Sequence, residues 1–385
     1  MAKLIEITGK TISGEWGFDD TEGIGIPVLR TTNFTNEGFI DYQNVVTRII
    51  KKQNISEKFL RSGDIIIEKS GGSDKQPVGR VVYYDGPDNT YLFNNFTGVL
   101  RVKDPSKWYP KYIFYALFTN YWRGGTRRFE NKTTGLHNLK TDDYVARFGI
   151  AEIPLDQQIC ICNTLDKIHL LIGSRKKQLT KMDDLIKARF VEMFGDPLLN
   201  DRGWPCKRIG DLFEVISRGK QPTYVEHSTV RVINQACVYW DRINMDNAKY
   251  HDDQSSKKML PISEYSILIN STGTGTLGRC NVFPELRDDY VYVVDSHVTT
   301  LQESSEINAW FFKWFFQHNG IQAKIYSECV NGSTNQIELS REKLSNAMMI
   351  VPPIELQNQF AEFVIETNKL KLTLFRYNVM EYKCE

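Results

Sequence analysis

Several things are missing from this chain of 385 residues, and each absence excludes a class of protein. The seven cysteines are scattered, odd in number and never spaced C-x-x-C, so reduced thiols are expected and not a disulfide framework. No apolar run approaches the roughly 18 residues of a membrane span, and no charged-then-apolar leader opens the chain. The expectation is a cytoplasmic protein. The six histidines (His137, His169, His227, His251, His297 and His318) show no metal-ligand spacing and no H-E-x-x-H. No nucleophile–base–acid order stands out, so a catalytic constellation is not expected. The net charge is only +1, which excludes a polycation. Any nucleic-acid footprint must be a local patch. Low-complexity linkers are absent as well.

What is present is a long helical stretch, residues 153–197. Pro154 suits a first helical turn, and Asp156 places an acid near the positive helix end. Gly195 and Pro197 supply a stop. Between them Ile161, Leu165, Ile168, Ile172, Leu179, Met182 and Ile186 recur at alternate spacings of four and three, with Arg175 and Arg189 at core-type positions. The stretch returns in residues 352–385 with a proline, an acid at Glu355 and a glutamine, Gln357 against Gln158. Its seam is Leu356, Phe360, Phe363, Thr367, Leu370 and Leu374. It is shorter than the first by about ten residues on the repeat offset. Two seams on one chain most simply bury each other as a coiled pair. The alternatives are that each covers its own domain, or that they join two copies of the chain.

The segments between the helices also repeat. Residues 1–152 and 198–351 each show short β-type runs between turn residues, then a helix with aromatics. Arg231–Tyr239 answers Val28–Asn36, and Ser266–Phe283 answers Asp64–Tyr84, although the first copy has three extra residues there. The expected fold class is α+β: two similar domains separated by two long helices.

Gly273-Thr274-Gly275-Thr276-Leu277-Gly278 matches a dinucleotide fingerprint in letters only. That site needs a helix after the glycines, and Arg279–Phe283 reads as a strand. A polar hairpin loop is expected, and a nucleotide-binding enzyme using Gly273, Gly275 and Gly278 is the disfavoured alternative. The remaining candidates are polar loops at matching points of both copies. The first copy offers Arg30, Thr32 and Asn33, then Lys69 and Ser70, then Arg123, Arg127 and Arg128, then Lys132 and Thr134. The second offers Arg218 and Lys220, then Asn234 and Gln235, then Ser271 and Thr272, then Asn331, Ser333, Asn335 and Gln336. Arginine and lysine suit phosphates and guanine edges, and asparagine and glutamine suit adenine.

The proline–acid–glutamine helix start, the Gly195-Asp196-Pro197 end, the return of the helix and the run Ser62-Gly63-Asp64-Ile65-Ile66 before Lys69-Ser70-Gly71 form a pattern. It resembles the specificity subunit of type I restriction–modification systems, over essentially the whole chain. The resemblance implies two target-recognition domains, at 1–152 and 198–351, with the helices pairing as an antiparallel coiled coil. Each domain would read one half of a bipartite DNA site. The helices would dock adenine methyltransferase subunits that use S-adenosylmethionine, and a restriction/translocase subunit would use ATP and Mg. The chain itself would hold no cofactor, no metal and no catalytic residue. A stand-alone DNA-binding protein that recruits no methyltransferase is the alternative within the same class.

Overall fold

The computed structural model describes residues 1–133, 136–254, 259–286, 288–332 and 337–381, without the side chains of 132, 133 and 374–381. Two compact units emerge, Met1–Gly173 and Ser174–Glu385. The boundary lies inside a continuous helix of 40 residues, Leu155–Phe194.

The first unit is framed by strands β1 (Ile12–Ser13), β2 (Phe18–Asp19), β3 (Ile26–Leu29), β4 (Val46–Ile49), β5 (Ile65–Glu68), β6 (Val81–Tyr83), β7 (Leu92–Phe93) and β8 (Thr97–Leu100). One sheet has the order β1-β8-β5-β6 and is antiparallel throughout. The other has the order β2-β4-β3-β7, with β3 and β7 parallel. The central run Ile65-Ile66-Ile67 is wholly buried because β5 has a core on each face. Ile65 and Ile67 enter the core under the helices, and Ile66 enters the core between the sheets.

The second unit repeats this plan strand for strand. Its strands are β9 (Val215–Arg218), β10 (Tyr224–Val225), β11 (Val230–Ile233), β12 (Lys249–His251), β13 (Ile267–Asn270), β14 (Cys280–Val282), β15 (Val291–Val294) and β16 (Val298–Gln302). The orders are β9-β16-β13-β14 and β10-β12-β11-β15, again with one parallel pair, β11 and β15. Ile267 and Ile269 face the helix-side core and Leu268 faces the other. In each unit a short terminal pairing, Ala2–Lys3 with Gly149–Ile150 and Cys206–Arg208 with Met348–Ile350, delivers the chain to a proline and a long helix.

The longer helices are α1 (Pro110–Trp122), α2 (Leu155–Phe194), α3 (Ala309–Phe316), α4 (Asn319–Cys329) and α5 (Ile354–Glu381). One glutamine fixes the start of each long helix. Gln158 is 1% exposed; its Oε1 accepts the Tyr109 N–H at 2.9 Å, and its Nε2 donates to the carbonyls of Lys107 and Ile153 at 3.0 and 2.9 Å. Gln357 is 0% exposed and does the same with the Asn308 N–H at 2.9 Å and the carbonyls of Glu306 and Pro352 at 2.9 and 2.8 Å. Each clamp ties the long helix to the residue that opens the sheet-covering helix, α1 or α3. At its far end α2 stops where Gly195 takes φ +77°, a left-handed conformation that glycine adopts at little cost.

The clamp also sets which face of α2 is buried, and this corrects the seam. Gln158, Cys162 and the partly buried Leu165 face the first unit, where Asp166 accepts from Lys111 Nζ at 2.7 Å and from Tyr115 Oη at 2.6 Å. Ile161 and Ile172 are 42% and 50% exposed, and Ile168 is half-buried. Within the second unit α2 and α5 do pack together. Ile186, Phe190 and Phe194 share a core with Phe360, Val364 and the partly buried Phe363, and Phe360 meets Phe190 and Phe194 edge-on. Lys371 binds Asp183, so 194 to 183 runs against 360 to 371 and the pair is antiparallel. Leu179 and Met182 are half-buried. Leu370 is 58% exposed, a second correction: the buried stripe runs through Val364 and Thr367 to Lys371. Leu374 lies outside the described side chains.

Candidate nucleic-acid interface

Both units gather polar loops at the ends of their central strands, and many of those side chains are committed inside the fold. Asn33 is 2% exposed; its amide donates to the Asp41 and Asn44 carbonyls, and its oxygen accepts the Arg30 N–H at 2.9 Å. Asn234 is 8% exposed, donates to the Asn247 carbonyl and accepts the Ala236 N–H. Ser271 is wholly buried and bonded to Thr299 Oγ1 at 2.6 Å. Arg218 pairs with Glu338 and donates to the Ser296 carbonyl, and burial lowers its pKa. Asn33, Asn234 and Ser271 shape their loops and spend their hydrogen bonds internally, as buried polar groups must, whereas Arg218 is half-buried and held by two partners.

Other expected residues remain accessible. Thr32, Arg123, Arg127, Arg128, Lys220 and Asn331 are exposed. Arg30 is half-buried, with Nη2 donating to the Asn44 carbonyl at 3.3 Å. Lys69 is half-buried; burial lowers its pKa, and Asp142 opposes the shift. Ser70 lies on a short strand paired with Asn138. Gln235 and Thr272 bond each other at 3.3 Å, and Thr272 also meets His297 Nδ1 at 2.8 Å. Asn331 accepts from Lys343 at 2.7 Å. Thr134, Ser333, Asn335, Gln336 and the Lys132 side chain lie outside the described residues.

In the first unit the accessible residues converge. Gly124, at φ +71°, turns the chain at the end of α1. Trp122, 58% exposed, stands beside Arg123 and Arg127. The loop Ser73–Pro77 comes up against them, held by Tyr121 Oη on the Pro77 carbonyl at 3.3 Å and by Arg127 on the Asp74 carbonyl at 3.4 Å. The result is a groove of about 470 Å³ lined by Asn36, Lys75, Gln76, Trp122, Arg123 and Arg127, among others. Three cations, two carboxamides and an open indole can hold phosphates, read base edges and stack. Sequence reasoning missed Asn36, Lys75 and Gln76, and marked Trp122 only as the aromatic flank of the loop that carries Arg127 and Arg128. The signal for Lys75 and Gln76 was the extra length of the first copy between β5 and β6.

Cation–aromatic contacts recur at the sheets that contain the parallel pairs, β2-β4-β3-β7 and β10-β12-β11-β15. Arg48 lies over Trp16 at 4.2 Å and Lys51 over Phe18 at 4.9 Å. Arg231 lies against Tyr250 and Tyr290 at 5.6 and 5.5 Å, and Lys249 over Tyr224 at 4.8 Å. A larger groove of about 820 Å³ in the second unit is lined by Phe190, Trp240, Trp314 and Tyr326 together with Lys187 and Gln322, among others. The glycines 273, 275 and 278 turn the chain from β13 to strand β14, not to a helix. Among the described residues no helix is long and apolar enough to cross a membrane.

Two copies of one α+β domain, each followed by a clamped long helix and each presenting polar loops, make this a two-module protein built on one repeated plan. A family model described as "Type I restriction modification DNA specificity domain" matches residues 1–181 and again 201–374, and the chain belongs to that family. Among solved structures the chain is similar to a type I restriction–modification system S subunit from M. genitalium, at 14% identity and TM-score 0.56, covering 98% of this chain and 91% of that one. It is also similar to a chain from a structure on complex assembly and conformational transition of the type I R-M system, at 13% identity and TM-score 0.51, covering 99% and 94%. At these identities the likeness speaks for the fold. No curated protein matches the chain.

Proposed function

We propose that this chain is the non-catalytic specificity subunit of a type I restriction–modification complex, and that each domain reads one half of a bipartite site in duplex DNA. The observation that carries this reading is the duplication itself. One chain of a DNA-specificity family holds two recognition domains with the same strand order and the same glutamine clamp, but with different side chains at their loop ends. Two different readers on one chain fit two different half-sites.

The helices dock adenine methyltransferase subunits, which bring S-adenosylmethionine, and a restriction/translocase subunit brings ATP and Mg. The exposed apolar residues Leu170 and Leu171 on the first half of α2, and Leu185 on its second half, at 74%, 57% and 53% exposure, favour this over a stand-alone DNA binder. The test is co-expression with an adenine methyltransferase subunit of a type I system, followed by purification. The reading expects a stable complex that methylates adenine, and a purified chain that binds neither S-adenosylmethionine nor ATP by calorimetry. A chain that leaves the methyltransferase behind, or binds either ligand at micromolar concentration by itself, contradicts it.

A further inference from the structure

The large groove of the second unit holds the same place in its domain as the smaller groove holds in the first. In the first unit the walls come from Asn36 after β3, the loop between β5 and β6, and the end of α1. In the second they come from Trp240 after β11, Gly275 and Leu277 between β13 and β14, and Trp314 near the end of α3, with α2 and α4 adding further wall. The place is kept and the chemistry is exchanged. Lys75, Arg123 and Arg127 line the first groove. Among the described residues that line the second, no acid occurs and Lys187 is the one lysine or arginine.

Two rings of the second groove are open, Trp240 at 41% and Tyr326 at 42% exposure. Trp314 is 9% exposed, and its Nε1 is buried without a hydrogen-bond partner, as is His318 Nδ1. Buried polar atoms normally have partners, so two without one in the lining of a single groove point to a ligand that supplies them. Gln317 and Gln322 hold the wall: their Nε2 groups donate to the carbonyls of Trp240 and Phe316 at 2.9 and 2.6 Å. The volume, about 820 Å³, is that of a small-ligand site. A base paired inside a duplex cannot enter a concave site, whereas an unpaired base brings two faces for stacking and a polar edge. We propose that this groove binds one unpaired nucleobase of bound DNA, stacked on the open rings with its polar edge towards Trp314 Nε1 and His318 Nδ1. This rests on the reading that the second domain binds duplex DNA, from which the base is extruded.

The experiment measures affinity of the full chain for a duplex selected from a randomised pool, with a single mismatch placed in turn at every position. A mismatch at the extruded base should strengthen binding by about tenfold, because that pair no longer has to be broken, and mismatches elsewhere should not. Trp240→Ala and Tyr326→Ala should each weaken binding to that mismatched duplex by about tenfold, the order of one lost base–aromatic stack, whereas Tyr326→Phe, which keeps the ring, should bind as the wild type does. Both side chains are open to solvent, so either alanine variant decides the matter if the other fails to fold. Duplex binding that no mismatch strengthens, or a gain that both alanine variants keep in full, overturns the base site and leaves DNA recognition standing. No binding to any duplex overturns the DNA reading, and the base site with it.

Discussion

Lys313 is a single residue whose environment sets a pH dependence for the second unit. It is 4% exposed, lies on α3 between the rings of Trp310 and Trp314 at 5.3 and 5.8 Å, and has its pKa lowered to about 8, mainly by burial. Cys280, Asp183 and Asp241 oppose the shift, and Lys371 adds to it. The unfolded chain holds this proton up to a higher pH than the folded one. The burden on the fold is therefore relieved as pH rises from about 8 towards the ordinary 10.5, and is at its full size below about 8. The two indole faces compensate for part of it. Lys313→Met keeps the volume and removes the charge, so it should stabilise the unit at pH 7 by on the order of 1–3 kcal/mol. That gain should shrink as pH rises from 8 to 10. Urea melts of both proteins across that range check it; the difference between them isolates Lys313 from the tyrosines that also titrate. A constant difference would place the effect in packing and not in charge.

At the scale of elements, the two clamps explain why the long helices begin where they do. Removing the amide in Gln158→Ala strips the Tyr109 N–H and two carbonyls of their partner, at a cost on the order of 2–4 kcal/mol. Gln357→Ala should do the same to the Asn308 N–H. Peptide-level hydrogen exchange is the measurement: each variant should deprotect its own helix start and leave the other at wild-type rates. Deprotection of both starts by either variant would mean that the clamps are not local devices. The match between Gln158 and Gln357 was legible in the sequence because both follow a proline and an acid at the same spacing. The buried face was not. A heptad count chose Ile161, Leu165 and Ile172, but the clamp rotates the helix so that Cys162 turns inward beside Leu165 while Ile161 and Ile172 stay exposed. The repeat of the domains was likewise visible in the order of turns and apolar runs. The roles of Asn33 and Ser271 were not visible, because the carbonyls and hydroxyl that consume their hydrogen bonds come from other segments. The groove at Trp122 needs three separated stretches to meet, which one sequence does not reveal.

For the whole molecule, the central claim is that two copies of one architecture read two half-sites independently. The units have separate cores, so changes confined to one should add to changes in the other. The most direct test replaces residues 201–350 with the equivalent domain of a relative, co-expresses the chimaera with the methyltransferase, and maps methylated adenines across the genome of the host. The account predicts that one half-site of the bipartite motif changes to that of the relative and the other stays as it was. A motif in which both halves change, or neither does, would contradict it.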